Sequence, residues 1–338
     1  MNKNITIKDV ARHLGMGIGT VSRAINQQEG VSQRTKEKVF KVIDELGYTP
    51  NRVAQSMRTN KYNNIAFFID ISNIAFAQIA KGISDFLDDH GYFLTLYNLG
   101  NRDIRNKIET FIKDNRYDGI ILSLPREDDE EIRSMLNLTK VPIVTLDRDI
   151  EGIPAGVTTD YLGSVVKATE YLLSLGHRGI ALLTGTNKIR PTRQSIQGFR
   201  TAFQNFGIPF EHSLIIEGEL TPSFGRQSML QLLPLVRAGA ITAVFSLNEQ
   251  VFRGVLQVLR DHDLSYPDDI SLITFEDSEL PELLKPSVTA VSRPLYEMGT
   301  RVAQLLITYI QDTNLYGKLP PSVIQNQLFI RNSCKPLH

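Results

Sequence analysis

Cysteine is nearly missing from this chain: one residue, Cys334, in 338. A lone thiol builds neither a disulfide framework nor a cysteine-ligated metal site, and it suits a reducing compartment. Tryptophan is absent, and no stretch approaches the roughly 18 consecutive apolar residues needed to span a bilayer. The opening "MNKNITIKDV" lacks the apolar centre of a secretory leader. A cytoplasmic protein with no membrane partner is expected. Catalytic signatures are also scarce. No phosphate-cradling glycine pattern follows the first apolar strand, no serine occupies a nucleophile elbow, and no carboxylate pair stands out. Six histidines are scattered, and His177 in "LGHRGI" reads as a surface turn residue. The expectation is therefore no enzyme, no cofactor, no catalytic residue and no metal site.

Net charge is lacking too, since 37 Lys and Arg balance 37 Asp and Glu. The balance is not uniform along the chain. Residues 1–61 carry eleven basic against five acidic side chains, and the remaining 277 carry 26 against 32. A basic end on an acidic body points to an anionic partner for the N-terminus alone.

That end contains three short amphipathic helices. Ile7, Val10, Ala11 and Leu14 share one helical face behind Thr6, with Asp9 at capping-box spacing. Val39, Val42, Ile43 and Leu46 repeat the pattern between Ser32, a plausible N-cap, and the stop signal Gly47. Between them, Val21, Ala24 and Ile25 form an apolar face opposite Gly19, Ser22, Arg23 and Asn26. With a Gly15-Met16-Gly17 corner between the first two helices, this is a helix-turn-helix. Its second helix lies in the DNA major groove, where Arg23 can pair bidentately with a guanine edge. Thr20, Ser22 and Asn26 then hold phosphates and set position.

The next segment, "YTPNRVAQSMRTNKYNN", starts a helix at Pro50 that can run only to about Arg58. Nine residues are too few to be helical alone, so a coil that orders on binding is expected. Paired with a symmetry mate across Val53, it presents Met57 as an apolar wedge and Arg58 as a minor-groove cation.

These residues carry a resemblance. "TIKDVARHLG…GTVSRAIN…GVSQRTKEKV…LGYTPNRVAQSMRT" resembles the DNA-binding headpiece and hinge of the LacI/GalR family of bacterial regulators, nearly continuously over Thr6–Thr59. The resemblance implies a homodimer on double-stranded palindromic operator DNA. It implies DNA contacts from Thr6, Ile18, Gly19, Thr20, Ser22, Arg23 and Asn26 in the headpiece, and from Val53, Ala54, Met57 and Arg58 in the hinge. Gly17 stands where the family usually has a Ser or Thr cap, and Gly19 offers no side chain where a base reader often sits. Base choice then leans on Ile18, Arg23 and DNA shape.

From Asn64 onward apolar runs alternate with amphipathic helices: "IAFFID", "FLTLY", "GIILSL" and "VPIVTL", then "IALLT", "AVFSL" and "ISLITF" after about Tyr161. Alternation of continuous apolar strands with helices predicts two doubly wound parallel-sheet lobes, with ligands at the carboxyl ends of the strands. "DGIILS", "VPIVTLDR", "LGHRGIALLTG", "TAVFSLNE", "ISLITFED" and "RNS" resemble the same family's effector-binding body, which is periplasmic-binding-protein-like. The fold class is thus an N-terminal all-α helix-turn-helix headpiece plus hinge helix, followed by an α/β body of two lobes. The resemblance divides the chain into a headpiece at 1–48, a hinge at 49–61, an N-lobe at 62–162 and 293–326, and a C-lobe at 163–292 and 327–338. Crossovers fall near 161–164, 291–294 and 326–328.

By position the inter-lobe cleft draws on Phe76, Asp147, Arg148, Asp160, Arg193, Leu220, Asn248 and Glu276. The family's frequent Asp is Glu at 249 and 276, Ser195 replaces a usual Arg, and Leu220 stands where an aromatic often stacks. A Glu reaches one methylene further than an Asp. The small-molecule effector is therefore expected to be a sugar or sugar derivative other than a simple neutral hexose, either smaller or partly cationic. The function implied is an effector-controlled transcription regulator, most often a repressor. The alternative is a solute-binding receptor of the periplasmic type, which leaves the headpiece unexplained.

Overall fold

The computed structural model describes residues 5–48, 61–100, 103–114, 116–154 and 156–337. The hinge side chains Val53, Ala54, Met57 and Arg58 lie outside the described residues. The chain forms two compact units, residues 1–62 and 63–338.

The first unit holds helices α1 (Ile7–Leu14), α2 (Ile18–Ile25) and α3 (Gln33–Leu46). Asp9 caps α1 by accepting the Thr6 N–H at 3.0 Å and its hydroxyl at 2.6 Å. Gly15 ends α1 at φ 63°, a left-handed backbone that costs glycine nothing. Val10, Ala11, Val21, Ala24, Val39, Val42 and Ile43 meet in one buried cluster. Neither eight-residue helix would persist in water without that shared core.

The second unit has two lobes. In the first, a parallel sheet runs in the order β2-β1-β3-β4, from β1 (Asn64–Ile69), β2 (Phe93–Asn98), β3 (Gly119–Leu122) and β4 (Ile143–Thr145). Alternation along β1 explains why it is apolar throughout. Ile65, Phe67 and Ile69 enter one core with α4 (Ala75–Asp89), while Ala66 and Phe68 enter another with α5 (Ile104–Asp114) and α6 (Glu130–Leu136). "FLTLY" differs from the expected buried strand. As the sheet's edge, β2 leaves Phe93 and Leu96 about half exposed.

The second lobe carries a six-stranded sheet, β12-β10-β9-β8-β6-β7, parallel except where β12 (Gln327–Phe329) runs antiparallel to β10 (Thr289–Ser292). Its other strands are β6 (Ile180–Thr184), β7 (Ile215–Glu217), β8 (Ala243–Ser246) and β9 (Ser271–Phe275). Helices α7 (Tyr161–Ser174) and α8 (Arg190–Asn205) cover one face; α9 (Pro222–Arg237) and α10 (Glu249–Asp261) cover the other. A five-residue α11 (Glu279–Leu283) follows β9.

Three segments cross between lobes. The chain leaves the first lobe after β5 (Val157–Thr159) and enters α7 through Asp160, whose carboxylate caps that helix at Gly163 N, 2.8 Å. It returns after β10 through residues 293–294 into α12 (Leu295–Gln311), which packs on α4. That contact is close: a Cβ on Gly82 would lie 2.1 Å from the Tyr296 carbonyl oxygen, and one on Gly299 2.1 Å from that of Ile79. The last crossing joins β11 (Ser322–Ile324), paired with β5, to β12. These crossings put strand ends from both lobes at one cleft.

His177 corrects its expected surface position. It is 1% exposed, with Nδ1 2.9 Å from the Thr242 hydroxyl and Nε2 3.1 Å from the Lys335 carbonyl. A carbonyl only accepts, so Nε2 carries the proton and Nδ1 accepts from Thr242. The turn is stitched beneath the C-terminal tail, and burial lowers the imidazole pKa.

Candidate DNA-reading helix and inter-lobe cleft

On α2, Ile18, Gly19 and Arg23 face outward, with Ile18 45% exposed. Thr20 and Asn26 are half-buried. Ser22 differs: it is 8% exposed and accepts the Asn26 amide at 3.4 Å. Its position on the turn between the outer and inner faces serves the headpiece's packing first. Thr6 is exposed, its hydroxyl engaged by Asp9. Ile18, Gly19 and Arg23 are thus left presented on one short helix, the presentation that base-edge readout requires.

In the cleft, the structure joins two of the eight expected effector contacts through a residue the sequence reading missed. Arg293, at the second crossover, has its side chain 8% exposed. Its Nη1 donates to Asp147 Oδ2 at 2.6 Å, and its Nε and Nη2 donate to Glu276 at 2.5 and 3.0 Å. The Tyr161 hydroxyl accepts from Arg293 Nη1 at 2.5 Å and donates to Asp147 at 2.9 Å. Asp147 also accepts from the Thr158 hydroxyl at 3.1 Å. Burial opposes the guanidinium charge, but Glu276, Tyr161 and Asp147 together outweigh it and hold the pKa above the usual arginine value. Burial pushes the Tyr161 phenol up, so it stays a neutral donor.

Asp147 and Glu276 both have left-handed backbones, φ 54° and 88°. Such residues cost on the order of 1–3 kcal/mol each and persist where the surroundings over-determine them. Both sit just past the carboxyl ends of strands, one in each lobe, and one guanidinium spans them. On sequence alone the extra methylene of Glu276 favours a smaller or partly cationic effector; here its carboxylate faces a cation of the chain itself, Arg293.

The other expected contacts are spread around this centre. Arg148 donates to the carbonyls of Leu124 and Asp147. Phe76 packs edge-on against Phe67, 6.0 Å between centroids, in the first lobe's core. Asn248 caps α10 by accepting Val251 N at 2.8 Å. Leu220 packs against the second lobe's core beneath Gly185. Asp160 is the α7 cap described above. Arg193 reaches into the other lobe and pairs with Glu127 at 2.7 Å. A cavity of about 120 Å³ lies between the lobes, lined by Asn73, Gln78, Glu249, Glu276, Ser292 and Arg293 among others. Of the eight expected contacts only Glu276 lines it. This cavity is smaller than the roughly 300–1,000 Å³ of typical small-molecule sites.

Each half of this arrangement has counterparts among known proteins. Residues 6–51 match the family described as bacterial regulatory proteins, lacI family, and residues 169–334 match the periplasmic binding protein-like domain. Catabolite control protein A of Priestia megaterium is 32% identical over 91% of this chain and 93% of its own. Among solved structures, a transcriptional regulator CelR–cellobiose complex aligns with a TM-score of 0.72 at 30% identity, covering 97% of this chain and 99% of that one. The lac repressor dimer bound to operator and the anti-inducer ONPF aligns with a TM-score of 0.83 at 25% identity, covering 98% and 100%. Among the described residues no helix is long and apolar enough to cross a membrane. Outward Ile18 and Arg23, a two-lobed cleft body and full-length relatives lead to one conclusion: the chain belongs to the lacI family of bacterial regulatory proteins and is a DNA-binding transcription regulator.

Proposed function

We propose that the protein acts in the cytoplasm as a homodimeric repressor on a palindromic operator, and that a sugar-type effector in the inter-lobe cleft sets its DNA affinity. The observation that carries this reading is the Asp147–Arg293–Glu276 bridge, an ion-paired joint between lobes at the strand ends where ligands bind in such folds. A ligand that enters must exchange contacts with this joint, and it shifts the equilibrium only by its differential affinity for the two lobe arrangements. Relatives that bind cellobiose or an operator support the same assignment. The roles of the headpiece residues follow from their positions: Ile18 and Arg23 read base edges, Thr20 and Asn26 hold phosphates, and Ser22 braces α2. The hinge residues Val53, Ala54, Met57 and Arg58 enter the minor groove. Asp147, Arg148, Asp160, Arg193, Asn248 and Glu276 surround the effector, with Phe76 and Leu220 as apolar walls.

The test is selection of duplexes from a random pool by the full chain, followed by fluorescence anisotropy on the enriched sequence. A palindrome should emerge, bound with steeply salt-dependent affinity. Arg23→Ala should reduce discrimination at one base pair per half-site by about 1–3 kcal/mol. A pool that yields no preferred sequence refutes the proposal.

A further inference from the structure

The cleft already contains a bound carboxylate, and it belongs to the chain. Glu127 lies on the first-lobe loop after β3, with its side chain 6% exposed. Its Oε1 accepts the amide of Arg190, the first residue of α8, at 2.8 Å, and the amide of Asp149 at 3.1 Å. Its Oε2 accepts from Arg193 Nη2 at 2.7 Å. The loop is fastened further by the Glu127 N–H donating to the Lys188 carbonyl at 3.1 Å. This is a built anion site: the N-terminus of a sixteen-residue helix, two backbone amides and a guanidinium, assembled from both lobes.

On α8 and at the ends of β6 and β3, further polar side-chain atoms are buried without a partner. Arg190 Nε is buried without a hydrogen-bond partner, as is the hydroxyl of Ser195 on the same helix. Ser195 is 1% exposed. At the carboxyl ends of the neighbouring strands, the hydroxyls of Thr184 and Ser123 are likewise buried and unpartnered. Around the cleft, Arg293 is matched by Asp147 and Glu276, and Arg253 by Glu249, but among the described residues no ion pair matches Arg190. Unsatisfied buried donors of this kind are costly unless a ligand meets them.

We propose that Glu127 is an internal stand-in for the anionic group of the effector. The effector is then an anionic carbohydrate derivative whose phosphate or carboxylate displaces Glu127 from Arg193 and the α8 N-terminus, and in doing so undoes the clasp between lobes. This rests on the reading of the cleft as the effector site and adds the chemical class of its ligand. Because Glu127 must leave first, apparent affinity is lowered by the fraction of molecules in which the clasp is open. Replacing Glu127 with Gln keeps its shape and removes the competing charge.

Isothermal titration on the full chain at constant ionic strength tests this with three probes: inorganic phosphate, a hexose 6-phosphate and the free hexose. Glu127→Gln should bind both phosphate probes at least ~10-fold more tightly than wild type. Adding Arg193→Gln should cancel the gain, and free hexose should gain nothing. Asp128→Asn removes a neighbouring charge paired with Arg126 and Lys188, and should leave phosphate affinity at its wild-type value. Equal affinities in wild type and Glu127→Gln, or an equal gain for the neutral sugar, overturn the proposal. Wild type alone supplies a second readout: phosphate should speed hydrogen exchange at the Glu127 amide, and unchanged exchange under saturating phosphate also overturns it. Operator binding without ligand is a separate measurement, so failure here leaves the DNA-binding assignment distinguishable.

Discussion

Replacing Arg293 with Met should be among the most damaging single changes in the body. The side chain keeps most of its length and apolar stem but loses the guanidinium, leaving Asp147 and Glu276 without the cation that pairs with both. Both are nearly buried, at 6% and 7% exposed. Breaking a buried ion pair by removing one partner costs about 3–5 kcal/mol, because the stranded charge cannot regain its hydration. For a unit of this size each kcal/mol lowers Tm by roughly 2–4 °C, so a fall on the order of 10 °C is expected. The assay is urea and thermal unfolding of the full chain, read by far-ultraviolet circular dichroism. A second variant separates charge from packing. Arg293→Met combined with Asp147→Asn and Glu276→Gln removes all three charges and should recover a large part of the loss, as fully neutralised buried ion clusters do. If Arg293→Met costs less than about 1 kcal/mol, or if the triple variant is worse than the single one, the bridge does not hold the joint and the reasoning fails.

Other consequences follow from the same structure. Burial lowers the His177 pKa below its unfolded value, so the unfolded chain binds the proton first; stability contributed above pH 6.5 is lost as pH falls toward the folded pKa, with a slope of at most ~1.4 kcal/mol per pH unit. His177→Gln, compared with wild type by urea unfolding from pH 7.5 to 5.0, should lack that component, and identical slopes would refute it. Gly82→Ala places a methyl 2.1 Å from the Tyr296 carbonyl and should cost roughly 1–3 kcal/mol or more by forcing α12 away from α4; an unchanged unfolding midpoint would contradict that contact.

Which parts of this architecture could be read from the sequence follows from what each residue touches. "IAFFI", "GIIL" and "IALLT" are strands buried on both faces, and burial on both faces leaves an unbroken apolar run. The strands "VTT", "IIE", "SVI" and "QLF" are three residues long, pair at sheet margins and leave no pattern distinguishable from loop. His177 looked like a turn residue because its partners, Thr242 and Lys335, are 65 and 158 positions away. In the cleft, Asp147 and Glu276 are legible only through the family resemblance, by their positions in "VPIVTLDR" and "ISLITFED". Arg293 is not legible, because a single Arg between a strand and a Pro carries no periodicity. Glu127 was hidden more thoroughly, within "REDDEE", where its neighbours are solvated and its partner Arg193 is 66 residues on.

The proposed regulator couples a duplex-reading helix to an inter-lobe cleft within one chain. Reciprocal titration tests this coupling most directly: operator Kd with and without a cleft ligand, and ligand Kd with and without operator. Thermodynamic linkage requires the two ratios to be equal, and a regulator of this kind should show a factor of about 5–150. A ligand that saturates the cleft yet leaves operator Kd unchanged would contradict the account.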